Sequence, residues 1–340
     1  MPSRAFRILQ PVARSDLLKQ MFASYAKGDD AGFRRVAEEV ISDERRKQHG
    51  VLADQLQGLL GGPPAPRPLN VATMQPLPKG RDDVPLVHIR SADATLDDVV
   101  LKPASRALLE ELVREYRSAS VLHAHGLRPR SRALFIGPPG TGKSLTAEAL
   151  AGELGLPLLT VDIATVVSSF LGETSRNLAA IFSFCSRGSW VVLFDEFDAL
   201  AKERSDESEH GELKRVVTAF LQLLDGFDGR SLILAASNHP GLMDDAVWRR
   251  FDEVIEFRCP TQAEITSLID LKLRATRHRL PLTELARQMK GFTQAEIEII
   301  CRDALRHAVL GDRGVVAQDD FDNAIKRMEA RRLAIRRARA

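Results

Sequence analysis

The sequence predicts an α/β protein: a parallel five-stranded sheet with helices on both faces, a C-terminal helical lid and a small N-terminal helical module. Three observations carry this expectation. Short apolar, β-branched runs alternate with helical stretches from about residue 96 to residue 260, the pattern of strands covered on both sides. A glycine-rich loop, GPPGTGKS at Gly137 to Ser144, sits where one of these runs turns into a helix. Beyond Pro260 no strong strand remains, and apolar residues recur at helical spacing.

Composition sets the frame. Of 340 residues, 44% are apolar and 28% charged, ordinary for a water-soluble chain with a sizeable core. A formal charge of +2 provides no global field for nucleic acid or an anionic membrane. Cys185, Cys259 and Cys301 are far apart and lack metal-ligand spacing, so reduced, buried thiols of a cytoplasmic protein are expected. No run approaches the roughly 20 apolar residues of a membrane span, and the first residues lack a signal-peptide stretch.

Along the chain, residues 15 to 60 carry apolar positions at helical spacing, with breaks at Gly28 and at His49-Gly50, and predict three helices. The module spans 1–62. Residues 63–95, rich in proline and glycine, read as an extended linker. Residues 96–260 form the α/β domain, with strands predicted at 133–136, 158–161, 191–194, 232–236 and 254–257. Residues 261–330 form the helical lid. Residues 331–340 are a basic tail that reads as a solvated helix end.

The loop carries the first chemistry. Gly137, Gly142, Lys143 and Ser144 match G-x-x-x-x-G-K-[ST], the P-loop. Glycines let backbone N–H groups surround phosphate oxygens, and the helix that begins there places its positive dipole end on them. Gly137, Pro138, Pro139, Gly140, Thr141, Gly142, Lys143, Ser144 and Leu145 are therefore the candidate nucleotide-binding residues. Lys143 would reach the β- and γ-phosphates of ATP, and Ser144 would ligate Mg²⁺. VVLFDEFDAL then sets two acids at the end of an apolar strand, where ligands sit in open α/β sheets. Asp195 is the second candidate for Mg²⁺, and Glu196 for the base that polarises the attacking water. Asn238, ending the next strand, could orient the same water.

With these residues in view, the stretch from about Asp97 to Glu329 closely resembles the AAA family, the ATPases associated with diverse cellular activities. GPPGTGKS looks like its Walker A motif, LFDEFDAL its Walker B with Glu196 as catalytic glutamate, and Asn238 its first sensor. LLDGFDG at Leu223 to Gly229 resembles its inter-subunit signalling segment. DDAVWRRFDEVIEF is similar to its second region of homology, so Arg249 and Arg250 match the fingers that reach a neighbour's γ-phosphate. Ser168 to Thr174 resembles the first pore loop, with Phe170, Leu171 and Gly172 at its core and Phe170 gripping an extended polypeptide. Lys202 to Glu212 corresponds to the second pore loop and equally to a solvated loop.

The resemblance implies a homohexamer that hydrolyses ATP at subunit boundaries and threads a protein substrate through a central pore. It also implies an adaptor or substrate docked through residues 15–60, and for bacterial relatives a possible associated protease. That module matches the microtubule-interacting and trafficking domain in element count alone. Two positions depart from the family pattern: Gln294 stands where glycine is usual in the adenine-side segment of the lid, and Trp248 where a basic residue is frequent. The alternative is a nucleotide-switched AAA+ module, clamp-loader-like or helicase-loader-like, acting on nucleic acid. It draws on the basic tail and on Arg128, Arg130 and Arg132, and the near-neutral charge disfavours it.

Overall fold

Apolar residues two apart along each strand separate onto opposite faces of one sheet, and the helices follow from that division. In the computed structural model the described residues are 15–26, 30–46, 76–80, 83–167, 171–200, 207–278, 280–311, 313 and 315–339. They fall into two units, Met1–Ala65 and Pro66–Ala340. In the first, helices α1 (Ser15–Ala26) and α2 (Asp30–Arg46) bury Leu17 against Val36 and Val40. The third helix expected near 52–60 lies outside the described residues.

The second unit runs β1 (His88–Arg90), α3 (Pro103–Arg117), α4 (Ala119–Ala124), β2 (Arg132–Ile136), α5 (Lys143–Leu154), β3 (Leu158–Asp162), α6 (Ile163–Val166), α7 (Leu171–Ser186), β4 (Val191–Asp195), α8 (Glu207–Asp225), β5 (Leu232–Ser237), α9 (Asp245–Trp248) and β6 (Glu253–Glu256). The lid follows with α10 (Gln262–Leu273), β7 (Arg277–His278), α11 (Leu282–Gln288), α12 (Gln294–Leu310), β8 (Val315–Val316) and α13 (Gln318–Arg339). Sheet order is β1-β3-β4-β5-β2-β6. Leu134, Val192, Phe194 and Ile233 pack on one face with Leu178, Phe182 and Phe220 of α7 and α8. Ala133, Phe135, Leu193 and Leu234 pack on the other with Leu109 of α3 and Leu150 of α5. The lid keeps its own core around Ile269, Ile300 and Phe321.

The five expected strands are all present, and the sheet gains a sixth. β1 pairs antiparallel with β3, His88 opposite Thr160, inside the stretch read as linker 63–95. Leu86 and Val87 before it are buried, so this part of the segment belongs to the sheet. Two further expectations are corrected. The lid contains a two-residue parallel pair, β7 with β8. Cys259 is exposed, while Cys185 and Cys301 are buried, and burial pushes both of those thiols up to about 12.

Arg130 ties α3 to the edge strand β6. Its side chain donates to Glu115 Oε1 from Nε at 2.9 Å and from Nη2 at 2.6 Å, lies 2.9 Å from Glu111 and also bonds Glu253. The Arg130 guanidinium holds the Glu115 carboxyl below its usual 4.5, with burial opposing and the Arg130 backbone N–H assisting. A depressed folded-state pKa contributes stability that is complete above the unfolded value and is lost as pH falls through the folded one. Arg130→Ala should therefore lower stability in urea by about 2 kcal/mol at neutral pH, with the difference shrinking near pH 3. A pH-independent loss would contradict the role of the Glu115 carboxylate.

Candidate active site

An open cavity of about 360 Å³ lies where β2, β4 and β5 end, and the lid lines part of it through Leu268, Lys272, Gln294, Ala295 and Glu298. The phosphate loop forms its floor. Gly137 has φ +143°, and a Cβ there would stand 2.0 Å from the Phe257 carbonyl oxygen, so no side chain fits. Gly140 and Gly142 also adopt positive φ, which lets successive backbone N–H groups converge on one anion. Gly142 begins α5 without any side-chain cap, leaving the N–H groups of the first turn for a ligand. Those groups and a buried lysine fit the triphosphate of a nucleotide.

Lys143 is only 6% exposed. Its ammonium donates to Gly137 O at 2.7 Å, Pro138 O at 2.9 Å and Asn238 Oδ1 at 2.7 Å. Burial lowers its pKa from the usual lysine value, and Asp195 and Asp198 pull in the opposite direction. All three ammonium protons are used, so phosphate oxygens would exchange for these neutral acceptors and add opposite charge. Ser144 Oγ donates to Asp195 Oδ2 at 2.9 Å, placing two hard oxygen donors side by side. That donor set fits Mg²⁺, which takes one or two protein oxygens and fills its shell with phosphate and water.

Glu196 adopts φ +51°, in the left-handed region that non-glycine residues seldom occupy. Its N–H donates to Asp195 Oδ1 at 2.9 Å, so the two acids are locked into one turn. Its side chain is exposed on the cavity wall. Asn238 is held from two directions, by Lys143 through its side chain and by Asp198 Oδ1, which accepts the Asn238 N–H at 2.9 Å. Asp198 is buried and was not singled out in the sequence. Its signal was there, as the third acid of DEFD at the same strand end. Val99, Val100, Leu268 and Lys272 were missed too; the last two lie one turn apart on α10 and both line the cavity.

The paired arginines do not join this constellation within one chain. α9 is capped by Asp244, and Arg249 follows it, exposed, with no side-chain hydrogen bond or ion pair among the described residues. Arg250 Nε reaches Asp225 Oδ2 at 3.0 Å, and its Nη1 donates to Ala246 O at 2.9 Å. Asp225 ends α8, and Phe227 beyond it is buried against Phe182. Phe170 lies outside the described residues. Leu171 and Gly172, expected in an exposed loop, are the first residues of α7. Of the second loop, 201–206 lie outside the described residues, and Glu207 to Glu212 belong to α8 rather than to a loop.

Gln294, the departure at the lid, lines the cavity. Its Nε2 donates to Arg258 O at 3.2 Å, while Oε1 is buried without a partner among the described residues. The next N–H, of Ala295, donates to Gly140 O at 3.0 Å, so the lid rests directly on the phosphate loop. No group of three or more potential metal ligands among histidine, cysteine and acidic residues occurs among the described residues, and none of their helices is long and apolar enough to cross a membrane.

Known proteins resemble this chain in sequence. Residues 133–259 match the sequence model of the ATPase family associated with various cellular activities (AAA). An uncharacterized AAA family ATPase of Sinorhizobium fredii is 39% identical over 328 residues, covering 95% of this chain and 97% of its own. A proteasome-activating nucleotidase of Methanocaldococcus jannaschii is 32% identical over 62% of this chain and 51% of its own. A cell division cycle protein 48 homolog of Archaeoglobus fulgidus is 30% identical over 68% of this chain and 32% of its own. The chain thus spans nearly all of the first relative, about half of the second and about a third of the other.

Proposed function

The chain belongs to the AAA family of ATPases, and from that premise we propose that it uses ATP hydrolysis to remodel, unfold or translocate protein as a homohexamer. The observation that carries the assembly is the composition of the cavity. Lys143, Asp195, Glu196 and Asn238 line it, and among the described residues no arginine does, while Arg249 is exposed and has no side-chain partner. Phosphoryl transfer gains from a fixed guanidinium at the charge that builds in the transition state. A neighbouring copy's Arg249, with Arg250 beside it, would supply one and make turnover depend on assembly.

Within that reading each residue has a task. The backbone from Gly137 to Leu145 and the Lys143 ammonium hold the phosphates, and Ser144 with Asp195 would hold Mg²⁺. A magnesium ion there would neutralise β- and γ-phosphate charge. Glu196 takes a proton from the attacking water, and Asn238, fixed by Asp198, orients that water. The relative named for proteasome activation supports a protein substrate and leaves room for an associated protease. Residues 15–60 are the segment to engage an adaptor.

Phe170, with Leu171 and Gly172, is the proposed grip on the threaded chain, because an aromatic ring packs against polypeptide of any sequence. The test is Phe170→Ala, assayed for ATP hydrolysis without substrate and for unfolding of a fluorescent protein. Hydrolysis is expected to stay within about twofold and unfolding to fall more than about tenfold. Unchanged unfolding would sink the threading reading. The arginine cluster does not favour nucleic acid: Arg128 pairs with Asp228, Arg132 with Asp225, and Arg130 with Glu111, Glu115 and Glu253.

A further inference from the structure

The C-terminal tail, expected to be a solvated helix end, contains one residue that is not. Along the end of α13, Arg331 and the residues from Leu333 to Ala338 are exposed, whereas Arg332 is half-buried. Its Nη2 donates to Gly291 O at 2.8 Å, its Nε donates to Glu296 Oε1 at 2.8 Å, and its guanidinium lies 4.3 Å from the ring centroid of buried Phe292. A planar fork that bonds two acceptors while stacking on a ring is what arginine does and lysine does not.

The three partners bracket a single segment. Gly291 takes φ +85°, so the chain turns sharply before α12. Glu296 divides its carboxylate, with Oε1 on Arg332 and Oε2 accepting the Thr293 N–H at 2.8 Å to close the capping box of α12. Between the bracketed ends lie Gln294 and Ala295, which line the cavity, and Ala295 N–H bonds Gly140 O at 3.0 Å. The fit is tight, since a Cβ on Gly140 would stand 3.0 Å from Thr293 Oγ1. A continuous series of contacts therefore runs from the terminal helix through Arg332, Glu296 and Phe292 to the phosphate loop.

We infer that Arg332 is a positioning residue for nucleotide: it fixes the Gly291–Glu296 segment in the conformation that closes the lid side of the site. Without it the Gly291 carbonyl and the Phe292 ring lose their partner, and Glu296 is left to hold the turn alone. The segment would then have to be ordered by the nucleotide itself, at the expense of affinity. Lys143, Asp195, Glu196 and Asn238 have no contact with Arg332, so chemistry at saturation is unaffected. The inference rests on the assignment of this cavity to nucleotide.

The experiment uses the full chain and two readouts, calorimetric titration of ADP and steady-state ATP hydrolysis. Arg332→Ala is expected to raise the Kd for ADP and the KM for ATP about tenfold, with kcat within about twofold of the parent. Arg332→Lys, which keeps one charged donor to Glu296 but loses the fork and the stack, should fall between the two. A merely structural role would lower the melting midpoint and leave Kd and KM where they were, and that result overturns the inference. Should the alanine variant fail to fold, the lysine variant decides by itself, and an unchanged ADP affinity in it counts against Arg332. A parent protein that binds no ADP overturns the site assignment as well, whereas a variant that binds like its parent overturns only the role of Arg332.

Discussion

Glu196→Gln is expected to bind ATP as the parent chain does and to lower its hydrolysis about 10²- to 10⁴-fold, the range lost with a general base. The substitution keeps shape and hydrogen-bonding reach and removes only the capacity to take a proton. Its backbone should be undisturbed, because the φ of +51° is held by the Glu196 N–H on Asp195 Oδ1 and by the Ala199 N–H on Glu196 O, neither of which involves the side chain. That strained backbone permits a second measurement. Glu196→Gly relieves a left-handed conformation that costs an ordinary residue about 1 kcal/mol, so it should stabilise the fold by about that amount while abolishing turnover. Stability gained where activity is lost would mark a position kept for chemistry. Substantial hydrolysis by Glu196→Gln, measured as phosphate release at saturating ATP, would remove Glu196 from the role of base.

The sheet and the phosphate loop were legible because each depends on residues adjacent in the chain. Runs such as Val191 to Phe194 are buried on both faces and identify themselves by apolar content alone. β1 was not legible, because three residues, His88 to Arg90, with only the middle one partly covered, resemble any extended linker until Leu159 is seen opposite Ile89. The two-residue pairing of Arg277 with Val315 is equally silent, since 38 positions separate partners that form no periodic run of their own. The same distinction holds in the site. Asp195, Glu196 and Asn238 sit at the ends of recognisable strands, whereas Arg332 acts on a turn about 40 residues earlier in sequence through a ring and a carboxylate that only folding brings to it. Spacing records what lies on one element, and tertiary partners leave no mark in it.

Arg249→Ala is the substitution expected to separate a site completed by a neighbour from one complete in a single chain. The side chain is exposed and has no partner among the described residues, so its removal should leave the melting midpoint of the isolated chain unchanged, while hydrolysis by the assembly falls about 10³-fold, as for loss of a transition-state arginine. Arg250→Ala should differ. It also breaks the bond to Asp225 at 3.0 Å and the one to Ala246 O, and so should lower stability by roughly 1 kcal/mol in addition to activity. The decisive measurement mixes two inactive proteins. An Arg249→Ala subunit keeps its own Lys143, Asp195 and Glu196, and a Glu196→Gln subunit keeps its Arg249, so a boundary at which the first pocket meets the second's arginine is intact. Random assortment in a ring of head-to-tail contacts makes about a quarter of boundaries of that kind at equal mixing. Hydrolysis should then recover toward that fraction. Recovery at any level requires the arginine to act across the boundary, because neither protein alone contains a complete site. Mixtures that stay as inactive as their components would argue against an arginine acting across the boundary, and an Arg249→Ala protein that hydrolyses ATP as its parent does would return the exposure of Arg249 to an ordinary surface feature.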